Sequence, residues 1–193
     1  MRKMYCIKIL LVFLMFTNVG QSETCKYSLD GKSLDLVWTA YKTKKKVGVN
    51  GTFNEVKLHS SEGANTLGEA LVGTRIDFVG TTVNSKNKDR DRKLARFFFG
   101  LISNSSKGSG KVLSYNDKSL RVNLSLNGVK KDLDFALTEK DKVLTGKTQI
   151  KLFDFNLKIP WQSISRVCNK QHEGLTWKIV DVSVSLKYEK KCN

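Results

Sequence analysis

The sequence predicts an all-β protein, an eight-stranded antiparallel barrel carrying one or two short helices. Three observations predict it. Apolar residues alternate with period two in run after run, clusters of Gly, Asn, Asp and Ser separate the runs, and Pro160 is the one proline in 193 residues. A barrel is favoured over a sandwich because closure removes unpaired strand edges. Eight strands also enclose a space about wide enough for side chains or one slender ligand.

The chain opens on basic Arg2 and Lys3, continues with an apolar stretch over residues 9–16, and leaves it through Gly20, Gln21 and Ser22. A basic start, a short apolar centre and a small-residue exit are the parts of a secretory signal peptide. Residues 1–22 are assigned to one, with a barrel domain over 23–193 and a periplasmic or secreted location. The apolar stretch falls short of the ~20 residues that cross a bilayer as a helix. Cys25 makes a lipoprotein anchor the rival reading, against which Glu23 stands where a small apolar residue is wanted.

The strands follow in order. Leu34, Leu36, Trp38 and Ala40 share one face of the first. Val47, Val49 and Phe53 mark the second, and a change of phase to Val56 and Leu58 predicts a bulge near Asn54. Val72, Thr74, Ile76 and Phe78 share a face of the third. Residues 87–99 read as a helix, with Asp89 placed to cap or begin it and Leu94, Phe97 and Phe98 at helical spacing. Residues 103–110 read as a mobile loop and 111–115 as a strand. The cleanest alternation is Leu120, Val122, Leu124 and Leu126. Asn127-Gly128 behind it is the strongest hairpin signal in the chain and should pair that run with Leu133, Phe135 and Leu137. Strands over 143–153 and 178–188 complete the set, the last with Val180, Val182, Val184 and Leu186 on one face. A second helix is expected over 161–172, after Pro160.

A formal net charge of +16 suits acidic partners, anionic headgroups and nucleic acid alike, and it also keeps a protein in solution. The densest basic run, residues 86–96, leads into Phe97-Phe98-Phe99. Asp89 and Asp91 interleave with its arginines, which fits pairing along a solvated helix face better than phosphate contacts. No nucleic-acid partner is expected, and contact with a membrane surface stays open. Gly108-Ser109-Gly110-Lys111 departs from a phosphate loop, because Ser105 stands at the first glycine position and Val112 follows the lysine. His59 and His172 are far apart and read as surface residues. Neither Gly-x-Ser-x-Gly nor His-Glu-x-x-His occurs. The chain is therefore read as a non-enzyme without cofactor or metal.

Cys6 leaves with the signal peptide, and Cys25, Cys168 and Cys192 remain. An odd count in an oxidising compartment suggests one disulfide and one spare thiol. If the first and last strands pair to close the barrel, Cys25 and Cys192 meet at one rim, and this pairing is preferred. Cys168 with Cys192 or with Cys25 is the alternative. No pair has metal-site spacing.

Trp38, Phe53, Phe78, Phe135 and Ile150 are candidates to line the interior, although each taken singly suits ordinary packing. Six ordered pieces span nearly all of 23–193. They are Val37-Trp38-Thr39-Ala40-Tyr41-Lys42, the run from Val47 to Phe53, Arg90-Asp91 with Leu94 and Phe98-Phe99, the run from Leu126 to Asp132, Lys151-Leu152-Phe153-Asp154-Phe155, and Trp177 to Val182. In this order they resemble the YceI-like domain family. The resemblance implies an extended, lipocalin-like barrel whose tunnel holds a long isoprenoid chain, often in dimeric periplasmic proteins, and it brings no catalytic residues. It assigns Trp38, Val49, Phe53, Ile76, Phe78, Leu94, Phe98, Leu124, Phe135, Ile150 and Val184 to the ligand, and leaves a homodimer open. Gly100-Leu101-Ile102-Ser103 stands where a Lys-Tyr-Pro stretch is commoner, and the spacing from Leu94 to the phenylalanine pair is one residue shorter. Both changes fall at the expected tunnel mouth. The competing expectation is a filled barrel whose basic surface binds an anionic polymer or membrane.

Overall fold

The structure is a computed structural model in which residues 23–193 are described, so the assigned signal peptide lies outside the described residues. Ten strand segments run along the described residues. They are β1 (Cys25–Lys42), β2 (Val47–Phe53), β3 (Val56–His59), β4 (Arg75–Val79), β5 (Val83–Asn84), β6 (Lys107–Asn116), β7 (Ser119–Leu126), β8 (Val129–Lys140), β9 (Val143–Lys151) and β10 (Thr176–Cys192). They form one antiparallel sheet in the order β3-β4-β6-β7-β8-β9-β10-β1-β2-β5.

The count is ten rather than eight because two strands are kinked. Phe53 pairs with Val83 and Val56 with Phe78. Between these pairs the Asn54 N–H donates to the Thr82 carbonyl and the Val79 N–H to the Glu55 carbonyl. β2 and β3 are thus halves of one strand broken at Asn54, where the phase of apolar residues changes, and β4 and β5 are halves of another. The ladder between them joins the two ends of the sheet and curls it into an eight-stave barrel. β8 and β9 separate beyond the Ala136–Lys147 pair. A 3-10 turn over Leu152–Phe155 and the helix behind it fill that gap, tied in by the Asn127 side-chain amide donating to the Phe155 carbonyl.

Among the described residues three α-helices decorate the barrel: α1 (Leu67–Leu71), α2 (Lys88–Phe97) and α3 (Lys158–Val167). α1 was not expected. Thr66 caps it, and its end claims Val72 and Thr74: the Val72 N–H donates to Gly68 and the Thr74 hydroxyl to Ala70. The third strand therefore starts at Arg75. In α2 the cap is Asn87 and not Asp89, with the Asn87 carboxamide oxygen accepting the Arg90 N–H at 3.0 Å. Asp89 instead pairs with Arg92 on the exposed face, and Asp91 accepts the Ser85 N–H. α3 begins at Lys158, so Pro160 is its third residue, where an N–H has no partner within the helix. A separate 3-10 turn, Lys170–His172, ends the segment expected as one helix.

Residues 103–110, read as a loop, hold a 3-10 turn (Asn104–Ser106) and then the start of β6. Gly108 pairs with Phe78, and a Cβ on it would stand 2.3 Å from the ring. The glycine makes room for the aromatic. Asn127 and Gly128 form the expected β7–β8 turn with φ of 53° and 75°, the left-handed pair that a two-residue hairpin needs. At the ends of the chain the β1–β10 register sets Cys25 opposite Cys192, and the two form a disulfide, while Cys168 is free and buried.

Candidate ligand cavity

Two separate buried clusters hold the barrel, and the space between them is open. One contains Trp38, Phe99, Leu126, Ile150, Phe155 and Leu157, under α2 and α3. The other contains Leu71, Leu137, Leu144 and Tyr188, beside α1. An apolar cavity of about 260 Å³ touches members of both clusters. Leu36, Ile76, Val112 and Val184 line it and belong to neither.

The wall is the inner face of each strand. Leu36, Trp38 and Ala40 come from β1, Val49 and Phe53 from β2, Ile76 and Phe78 from β4, and Val112 from β6. Leu120, Val122, Leu124 and Leu126 come from β7, Phe135 and Leu137 from β8, and Leu144 and Ile150 from β9. Val180, Val182, Val184 and Leu186 close the circuit on β10. Helix α2 adds Leu94, and its C-cap residue Phe98 lines the cavity with it. All eleven residues assigned to the ligand from the sequence therefore face one cavity.

Large and small residues alternate across the staves. Trp38 lies opposite Gly51, where a Cβ would come within 2.1 Å of the indole. Phe53 stacks on Phe78 with ring centroids 4.8 Å apart, and Phe99 meets Phe53 edge-on at 5.4 Å. These rings form one end of the wall.

The lining also takes in a few polar side chains. Cys168 and His172 line the cavity with Trp161 and Ile164, at helical spacing that continues α3 inward. His172 is thus not the surface residue its polar neighbours suggested. Its Nδ1 lies 2.6 Å from the Thr176 hydroxyl. Burial, followed by the charges of Lys42 and Lys93, holds its pKa below the ordinary histidine value. Burial pushes the Cys168 thiol up, against the same two lysines. Both shifts lead away from a thiolate–imidazolium pair, so this pairing of residue types is poorly set for nucleophilic chemistry. Lys42 and Arg90 also line the cavity; Arg90 is held by the Ser85 hydroxyl and carbonyl, each at 2.7 Å.

Tyr41, also in the lining, donates its hydroxyl to Asp181. That bond is the main cause of the raised Tyr41 pKa and the lowered Asp181 pKa. His59 sits 3.0 Å from Asp77, away from the cavity. Among the described residues Glu23, Cys25 and Cys192 are the one group close enough to share a metal ion, and both of its sulfurs are in the disulfide.

The residues missed from the sequence include Lys42, Arg90, Trp161, Ile164, Cys168 and His172. The signal was present: Lys42 continues the period-two row Leu36, Trp38, Ala40, and Ile164, Cys168 and His172 recur every four residues.

Comparison with known proteins places this architecture. The profile of the YceI-like domain matches residues 27–188. A polyisoprenoid binding domain from Saccharophagus degradans implicated in plant cell wall breakdown shares the fold at 17% identity, over 86% of this chain and 98% of that one, with a TM-score of 0.62. BcnA of Burkholderia cenocepacia does so at 10% identity, over 84% and 99%, with a TM-score of 0.58. The YCEI protein of Campylobacter jejuni aligns at 15% identity, over 97% and 99%, with a TM-score of 0.51. No curated protein sequence matches the chain.

Proposed function

Because the chain belongs to the YceI-like domain family, we propose that it is an exported binding protein that holds one long, isoprenoid-type lipid inside its barrel. The observation that carries this is the divided core: two packed clusters with an apolar cavity running between them. A chain of isoprene units is the shape that such a passage accepts. Its burial is worth roughly 0.8 kcal/mol for each methylene-sized group removed from water, enough to retain a hydrophobic tail without any directional contact. The eleven inward residues from Trp38 to Val184 supply that surface. The disulfide between Cys25 and Cys192 fits an oxidising compartment, in keeping with the signal peptide read at residues 1–22. No helix among the described residues is long and apolar enough to cross a membrane.

All three tryptophans, Trp38, Trp161 and Trp177, line the cavity, so intrinsic fluorescence reports its filling. Delipidated protein titrated with a long-chain polyprenol should show a saturable change at one equivalent. Gly146 is also in the wall, and Gly146→Phe should fill the passage and abolish that change while the far-UV circular dichroism stays the same. A folded wild-type protein with no saturable response would remove the lipid reading and favour the basic surface as the binding element.

A further inference from the structure

We propose that the helix-capped end of the barrel docks on a membrane of anionic lipids, with Ile159 entering the interface and the lysines and arginines around it held against the headgroups. The proposal concerns the outer surface and does not depend on what the cavity holds. Hydrogen bonds and packing join the pieces of this end into one face. α2 runs into the 3-10 turn Phe99–Leu101, which packs against α3 as well. Asn127, in the β7–β8 turn, accepts the Ser103 N–H and donates to the Phe155 and Asn156 carbonyls just ahead of α3. The β1–β2 turn joins where β10 starts: the Thr43 N–H donates to the Leu175 carbonyl, and the Trp177 indole N–H to the Thr43 carbonyl.

The charge of this face is predominantly of one sign. Lys44, Lys45 and Lys46 fill the β1–β2 turn, and all three are exposed. α3 and the 3-10 turn behind it expose Lys158, Arg166 and Lys170 and hold no carboxylate. α2 exposes Lys88, Arg92 and Arg96 against one exposed carboxylate, Asp89, which Arg92 already occupies. The linking segments add Asp154 and Glu173 alone. At the far end of the barrel the signs are mixed: Asp117 stands beside Lys118, Glu139 and Asp141 interleave with Lys140 and Lys142, and Glu62 and Glu69 flank or enter α1. The molecule thus presents its helix-capped end to a negative surface.

Exposed apolar surface falls on the same end. Ile159, in the first turn of α3, is 71% exposed, with Leu101 at 48% and Val47 at 44%. Basic chains lie over aromatic rings beside them. The Lys46 ammonium is 4.7 Å from the Tyr41 ring centre and 5.6 Å from that of Trp177, and the Lys178 ammonium is 5.1 Å from Phe153 and 5.4 Å from Trp161. Apolar bodies with charged tips suit the boundary between headgroups and acyl chains. A soluble polyanion would answer the charges and leave Ile159 in water. A bilayer answers both.

The test is cosedimentation of the purified, lipid-stripped protein with vesicles of phosphatidylcholine, alone or with a third of phosphatidylglycerol. Binding should require phosphatidylglycerol and weaken as salt rises. Lys44→Gln with Lys45→Gln should weaken it roughly 25-fold, about fivefold for each lysine. Lys118→Gln with Lys140→Gln removes the same charge at the far end and should leave binding near wild type. Ile159→Ser should weaken it about tenfold without moving the thermal unfolding midpoint, because the side chain is exposed. Equal binding to both vesicle types, or none to either, overturns the proposal. So does an equal loss from the two lysine pairs, which makes net charge and not this face the determinant. Ile159→Ser binding as tightly as wild type overturns the membrane assignment and leaves a purely electrostatic face for a soluble polyanion.

Discussion

Gly51→Ala is the smallest change that tests how the cavity wall is packed. A methyl carbon at this position would stand 2.1 Å from Cζ2, 2.6 Å from Cε2 and 2.9 Å from Cη2 of Trp38, whereas carbon atoms rest about 3.5–4.0 Å apart. All three contacts are with one rigid ring, so the indole must shift as a body by roughly 1.5 Å to restore that separation. The Trp38 Nε1–H has no partner to lose among the described residues, and the penalty is steric. Overpacking of this kind costs about 1–3 kcal/mol, which for a domain of this size lowers Tm by about 2–12 °C. The assay is thermal and urea unfolding of the wild type, Gly51→Ala, Trp38→Leu and the double variant. In the leucine background the cost of Gly51→Ala should disappear, giving a coupling energy as large as the single-variant loss. An equal cost in both backgrounds would falsify the claim that the glycine exists to seat the indole.

Three further outcomes follow from the same geometry. The disulfide closes a separation of 167 residues, so replacing Cys25 and Cys192 by serine should remove about 2–5 kcal/mol of stability; an unchanged urea midpoint would contradict this. Cys168 is buried with its thiol pKa raised chiefly by burial, and it should react with Ellman's reagent at mildly alkaline pH only after unfolding, so a rapid reaction in the native protein would refute its burial. Tyr188 donates its hydroxyl to Glu139, and that bond, then burial, then the Glu139 charge push its pKa from 10.0 up to about 12. The resulting stabilisation is fully present below pH 10 and is lost as pH rises through about 12. An absorbance titration should therefore show a late tyrosine step that Tyr188→Phe removes.

The barrel was legible because each stave has one apolar face, and period-two alternation survives wherever the wall is regular. Asn127-Gly128 was legible for a local reason: the turn requires left-handed φ at both residues. Where the reading failed, a neighbouring element had taken residues that fit a strand. Val72 and Thr74 alternate with Ile76 and Phe78, yet the end of α1 binds them first. Gly108 and Gly110 resemble loop residues in a segment rich in serine, and only the opposing Phe78 ring and Val122 show them to be small members of a packed wall. The beginning of β1 was missed because its alternation, Tyr27 and Leu29 against Lys26, Ser28 and Asp30, is short and Gly31-Lys32-Ser33 interrupts it; β10 holds this stretch in place from the far end of the chain.

The few polar side chains of the cavity were its least legible part. His172 lies between Gln171 and Glu173, and the local composition is that of a surface loop. Its inward course depends on the 3-10 turn that follows α3, a feature with no composition of its own. Lys42 ends a motif that carries the family resemblance, and the motif itself does not say which face the lysine occupies. The period-two row of its own strand gives the answer.

The account stands or falls on whether the barrel carries a lipid. Native mass spectrometry of the protein purified from the cell that exports it, followed by organic extraction, tests this directly. The account predicts a mass excess of one long-chain lipid per polypeptide, lost on extraction and regained when a polyprenol is added back. A folded, disulfide-bonded protein that runs at its polypeptide mass and takes up no polyprenol would contradict it.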